Sequence, residues 1–124
     1  MSVALLIVDD SGFSRKAMLK SIPEGWDVDI TQATNGEEAL EALRKGLGEV
    51  VLLDLTMPVL DGFGVLEGIR DEGLKAKVVV VSADIQPKAK LRVISLGALA
   101  FLQKPFNKES LAATLAECGV YSED

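Results

Sequence analysis

The chain has 124 residues, 48% of them hydrophobic, and carries 19 acids against 13 Lys and Arg with no His and one Cys. That is one domain's length with enough apolar content for a core, which excludes a disordered reading. A net charge of −6 excludes sequence-independent nucleic-acid binding, which needs cations to displace counterions from phosphate. Cys118 alone cannot form an internal disulfide and fits a reducing compartment. The start "MSVALLIVDDSG" has no cationic segment, so a signal peptide is not expected. No stretch nears the ~20 apolar residues of a membrane span, and a cytoplasmic protein without membrane insertion is expected.

In chain order, "VALLIV" (3–8) is a continuous apolar run, as in a strand buried on both faces. Ser11 can cap a helix carrying Ala17, Met18 and Ile22. "DVDITQA" (27–33) alternates, as a half-exposed edge strand does. Asn35 opens a second helix, with Glu38 placed as in a capping box and Ala39, Leu40, Leu43 and Leu47 on one face. "VVLL" (50–53) is a third strand. Asp61 can cap a helix whose inner face is Val65, Leu66 and Ile69. "KVVVVS" (77–82) is a fourth strand. Pro87 suits the first turn of a fourth helix, with Leu91 and Ile94 inward and Gly97 ending it. "ALAFLQ" (98–103) is a weaker fifth strand. Asn107 starts the last helix, where Leu111, Leu115 and Cys118 recur at helical spacing, so Cys118 reads as a core residue.

Five strand–helix units over residues 1–124 predict a single α/β domain: a doubly wound parallel sheet covered by helices on both faces. In such sheets ligands bind beyond the carboxyl ends of the strands. Asp9 and Asp10 follow the first apolar run, Asp54 the third, Ser82 the fourth and Lys104 the fifth. If the first and third strands are neighbours, three carboxylates converge. Two unit charges ~5 Å apart repel by ~3 kcal/mol at an effective dielectric of ~20. A retained proton or a bound cation relieves that. A hard ion such as Mg²⁺ suits an all-oxygen set, whereas zinc and copper want imidazole or thiolate. Lys104 and Ser82 add an ammonium and a hydroxyl, the groups that surround a phosphoryl unit. Asp54 is then a candidate nucleophile. Taken singly, each of these residues reads as a cap, a turn former or a solvated side chain; their order at four strand ends argues otherwise.

"IVDDSGFSR", "LLDLTMPVLDG", "VVSAD" and "GALAFLQKPF" resemble the receiver domain of two-component response regulators over essentially the whole chain. The resemblance implies a flavodoxin-like three-layer sandwich, (βα)5, with strand order 2-1-3-4-5. It implies that Asp54 accepts a phosphoryl group from a phosphohistidine on a sensor histidine kinase. Mg²⁺ would be held by Asp10, by Asp9 largely through water, by Asp54, and by the backbone carbonyl of Thr56. Lys104 would contact the acyl phosphate, and Lys104–Pro105 would be a cis peptide. Ser82 would swing its hydroxyl to the phosphate, and Phe101 would be the switch aromatic that turns inward in response. Thr56 and Asp84 lie where the family varies its dephosphorylation rate.

The chain stops after the fifth helix, so no output domain is expected and a downstream partner must read the signal. The face formed by the fourth helix, fifth strand and fifth helix is the expected docking surface. On it Lys88, Lys90 and Arg92 make a small basic strip, preceded by an exposed Ile85 and joined by Phe101. A monomer is expected, with dimerisation on phosphorylation left open, as are a chemotaxis role at a flagellar switch and other pathways. Two competing readings are a scaffold that is never phosphorylated and an aspartyl-phosphate phosphatase of the haloacid dehalogenase type. The latter wants a second Asp two residues after the nucleophile, where this chain has Thr56. A flavodoxin-like electron carrier wants a hydroxyl- and glycine-rich loop where this chain has Asp9 and Asp10.

Overall fold

A computed structural model describes residues 2–84 and 86–122. The elements alternate along the chain: β1 (Val3–Val8), α1 (Gly12–Ser21), β2 (Val28–Ala33), α2 (Gly36–Arg44), β3 (Val50–Leu53), α3 (Gly62–Glu72), β4 (Lys77–Ser82), α4 (Pro87–Ser95), β5 (Ala100–Gln103) and α5 (Lys108–Glu117). The five strands form one sheet in the order β2-β1-β3-β4-β5, and all four pairings are parallel.

Successive side chains on a strand point to opposite faces, which is why the apolar runs are continuous. Leu6, Val8, Val51, Leu53, Val78 and Val80 pack with residues of α2, α3 and α4 on one face. Leu5, Ile7, Val50, Leu52, Val79 and Val81 pack with Met18 of α1 and with Leu111 and Leu115 of α5 on the other. The edge strand β2 is only partly covered, with Ile30 41% exposed. Cys118 caps α5 and is part-buried against the second cluster. Among the described residues no helix is long and apolar enough to cross a membrane.

The helix caps follow the sequence. Ser11, Asn35, Asp61 and Asn107 each accept the backbone N–H three residues on, satisfying donors the helix leaves unpaired. Glu38 departs from a capping box: its Oε1 accepts from the N–H and hydroxyl of Thr34, one residue before the cap. Gly62 is required by close approach, because a Cβ there would sit 2.5 Å from the backbone oxygen of Asp54.

Four further expectations fail. Leu91 and Ile94 are not the inward face of α4; they are 72% and 50% exposed, while Ala89 and Val93 are buried. The helix seats its smaller residues against the sheet, with Arg92 stacked 4.2 Å from the Phe63 ring centroid on α3. Leu47 leaves the α2 face because the helix ends at Arg44 and Gly46, at φ 78°, turns the chain. Ala42 is buried on α2 instead. α1 ends at Ser21, so Ile22 is its C-cap rather than a residue the helix carries, and Met18 is its fully buried residue. The fifth strand starts at Ala100 rather than residue 98.

Candidate functional site

The sheet ladder carries Asp9, Asp54 and Lys104 one step past β1, β3 and β5, and Ser82 is the last residue of β4. The Asp9 N–H donates to the Ala33 carbonyl at 3.1 Å, the Asp54 N–H to Val8 at 3.0 Å, and the Lys104 N–H to Ser82 at 2.9 Å. Because β1 and β3 pair with Val8 opposite Leu53, Asp9 and Asp54 come out side by side. Carboxylate oxygens of Asp9, Asp10 and Asp54 all lie within 4.8 Å of one another. Asp9 and Asp54 are buried and Asp10 is exposed.

Lys104 reaches in from β5. Its ammonium donates to Asp9 Oδ2 at 2.7 Å, to Asp54 Oδ1 at 3.4 Å and to Ser14 Oγ at 3.4 Å. Asp9 Oδ1 accepts the Ser11 N–H at 2.9 Å. Burial pushes the Asp54 carboxyl up to about 6; the Lys104 ammonium pulls against this and the Asp9 and Asp10 charges add to it. An all-oxygen set with this excess of negative charge fits a hard divalent cation. Asp10, open to solvent, gives such an ion a way in.

Ser82 is buried at the end of β4, and its Oγ accepts the Asp84 N–H at 3.1 Å, leaving its own proton free to be donated elsewhere. Lys104–Pro105 is cis, as the resemblance implies. Thr56 lies exposed in the loop after β3. Phe101 is half-buried against the α2–α4 side of the core, with the Lys90 ammonium 5.4 Å from its ring centroid.

Lys88, Lys90 and Arg92 do not make one strip. Lys90 faces Phe101 of β5, whereas Arg92 covers Phe63 and lies 4.0 Å from Glu67 of α3. Lys90 is two residues from both Lys88 and Arg92, and residues two apart on a helix do not share a face, so Lys90 diverges from the other two. Lys88 is exposed. Ile85 lies outside the described residues.

Sequence reasoning missed three features of the rim. Ser14 and Arg15, both on α1, reach Lys104 and the Asp9 carbonyl respectively. A cleft of about 290 Å³ beside Lys104 is lined by Phe13, Ala17, Ala83, Pro105 and Phe106, and Phe13 is 84% exposed. No spacing rule distinguishes these residues from an ordinary solvated helix face.

The loop after Asp54 is strained. Val59 has φ 68°, and the Leu60 N–H closes a three-residue turn onto the Pro58 carbonyl at 2.7 Å. A β-branched residue there costs ~1–2 kcal/mol. Val59 is 72% exposed, so little packing is lost on replacing it. Val59→Asn should stabilise the protein by ~1 kcal/mol, raising the melting temperature by ~4 °C; a drop in a thermal melt would refute the strain.

The sequence profile of the response regulator receiver domain matches residues 5–116. The chemotaxis protein CheY of Thermotoga maritima is 36% identical over 117 residues, covering 93% of this chain and 96% of that protein. A protein-glutamate methylesterase/protein-glutamine glutaminase of Syntrophomonas wolfei is 37% identical over 111 residues, which are 86% of this chain and 31% of the relative. Among solved structures, a CheX–CheY complex with BeF3 and Mg²⁺ from Borrelia burgdorferi matches with a TM-score of 0.85 at 30% identity, covering 96% of this chain and 90% of that one. With the sheet order and the acidic rim, these matches establish that the chain belongs to the response regulator receiver domain family.

Proposed function

We propose that this protein is a phospho-accepting response regulator that takes a phosphoryl group from a sensor histidine kinase onto Asp54. The observation that carries the reading is the Asp54 carboxylate, buried at the end of β3, 3.4 Å from Lys104 and clustered with Asp9 and Asp10. In the step, an Asp54 oxygen forms a bond to phosphorus as the histidine N–P bond breaks, and the phosphoryl group leaves the imidazole for the carboxylate. Mg²⁺, held by Asp9, Asp10, Asp54 and the Thr56 carbonyl, would supply the charge that offsets the transferring oxygens. Lys104 would bind an oxygen of the acyl phosphate. Ser82 would exchange its bond from Asp84 for one to the phosphate, and Phe101 would move in response.

The cleft lined by Phe13, Ala17 and Phe106 adjoins Lys104, which makes it the surface offered to a protein presenting a phosphohistidine to Asp54. In this reading the protein is cytoplasmic and output passes to a separate downstream protein at the α4–β5–α5 face, a placement supported by the exposure of Leu91 and Ile94 on α4. This reading takes the chain as a single receiver unit, monomeric before phosphorylation. The match to 96% of the Thermotoga CheY is in keeping with a single receiver unit. The phosphatase reading is disfavoured by Thr56, which has no carboxyl to serve as acid or base.

A small-molecule phosphodonor with Mg²⁺ should add one phosphoryl group to the wild-type protein, seen by intact mass, and none to Asp54→Asn. Equal uptake by the variant would sink the assignment of Asp54. No uptake by wild type, with or without a kinase, would favour the unphosphorylated scaffold.

A further inference from the structure

We infer that Arg15 is a positioning residue for the metal-ligating acids, acting through the peptide that joins Asp9 to Asp10; the inference rests on the proposed Mg²⁺ site. Arg15 Nη1 donates to the backbone carbonyl of Asp9 at 2.7 Å, and its Nε donates to Gln32 Oε1 at 3.0 Å. One planar guanidinium thus ties the β1–α1 loop to the end of β2, and Arg15 is itself only part-exposed.

The carbonyl of Asp9 and the nitrogen of Asp10 belong to the same rigid peptide plane. The rest of Asp9 is held independently: its N–H donates to Ala33, and its carboxylate accepts from Ser11 and Lys104. Asp10 has no such support, since among the described residues nothing hydrogen-bonds to its carboxylate. Its direction is set by the plane that Arg15 grips. Magnesium demands near-ideal octahedral geometry at ~2.0–2.1 Å, so a small rotation of that plane moves one ligand out of reach. The fork geometry suits the task, because guanidinium donors are fixed relative to one another.

The inference makes a prediction of opposite sign to the simplest alternative. A cation near a Mg²⁺ site repels the ion, so if Arg15 acted through charge alone, Arg15→Gln would tighten binding. If Arg15 positions Asp10, the same variant should weaken Mg²⁺ binding about tenfold, the lower range for the loss of an outer-shell partner. Titrating the full chain with MgCl₂ by calorimetry at constant ionic strength reads this without any phosphorylation assay. Gln32→Ala keeps the charge and loosens the fork, and should weaken binding several-fold. A thermal melt without Mg²⁺ checks that both variants are folded. Arg15→Lys, which keeps a donor for the Asp9 carbonyl, should recover part of the loss.

Unchanged or tighter Mg²⁺ binding by folded Arg15→Gln would overturn the role of Arg15 while leaving the site intact. Failure of the wild-type protein to bind Mg²⁺ at all would overturn the reading of the site, and the role of Arg15 with it.

Discussion

Asp54→Asn should melt at a higher temperature than wild type in Mg²⁺-free buffer at pH 8, although it is expected to lose phosphoryl uptake. The carboxylate is buried among Asp9 and Asp10, and Lys104 offsets their repulsion only in part. Asn is close to a protonated Asp in shape and carries no charge. Burial holds the folded carboxyl up at about 6, above the ordinary range of a free Asp, so between the two the folded state binds more protons than the unfolded one. Stability therefore falls as pH rises through that window, and above it wild type carries the whole penalty. Taken in full the shift corresponds to ~3 kcal/mol; screening by water at the open rim reduces the expected gain to ~1–2 kcal/mol, or ~4–8 °C.

The difference between the two proteins should narrow on acidification from pH 7 towards pH 4, where Asp54 becomes neutral in wild type as well. Saturating Mg²⁺ should narrow it too, since the wild-type site gains ~2.7 kcal/mol at a ligand concentration of 100 times Kd and the variant has lost one ligand. A variant less stable than wild type at pH 8, or a pH-independent difference, would show that the buried charge does not strain the fold. The strain belongs to function: a carboxylate that costs stability when alone is one that gains from a cation and a phosphoryl group.

The rim was legible in the sequence because its logic is local. Each reactive residue sits directly after an apolar run, and a parallel sheet delivers the ends of all its runs to one edge. Asp9, Asp54, Ser82 and Lys104 therefore needed only the strands to be recognised. The phase of α4 was not legible. "PKAKLRVIS" offers two apolar sets, Leu91 with Ile94 and Ala89 with Val93, and apolar bulk alone favours the first. The sheet takes the second, since small residues let the helix sit close while Lys90 and Arg92 lie over Phe101 and Phe63. Leu47 continues the apolar period of α2 in sequence but lies beyond Gly46, whose positive φ ends the helix. Arg15 was invisible for a different reason. Its partners, the Asp9 carbonyl and Gln32, are a backbone group and a residue 17 positions away, and no side-chain pattern announces either.

Lys104→Met should have the larger effect on folding. The ammonium is 2.7 Å from Asp9 and 3.4 Å from Asp54, with both carboxylates buried. Removing one partner of a buried ion pair leaves its counter-charge uncompensated, at a cost of 3–5 kcal/mol where burial is complete. Here the Lys104 side chain is 20% exposed, and the expected loss is ~2–4 kcal/mol in Mg²⁺-free buffer at pH 8. Met preserves the apolar stem, so the loss reports charge rather than packing. Two further readouts separate this from a trivial packing defect. Lowering the pH should restore stability, because protonating the acids removes the repulsion that Lys104 had countered. Adding Mg²⁺ should stabilise the variant more than wild type, because in wild type the ammonium already neutralises the Asp9 carboxylate that would help hold the ion. A Kd about tenfold tighter in Lys104→Met corresponds to ~1.4 kcal/mol of relieved competition. Equal Mg²⁺ affinity in the two proteins would mean that the ammonium and the metal do not share Asp9. The same variant should still bind the metal yet take up little phosphoryl group, which would assign the lysine to the phosphoryl oxygens rather than to the ion.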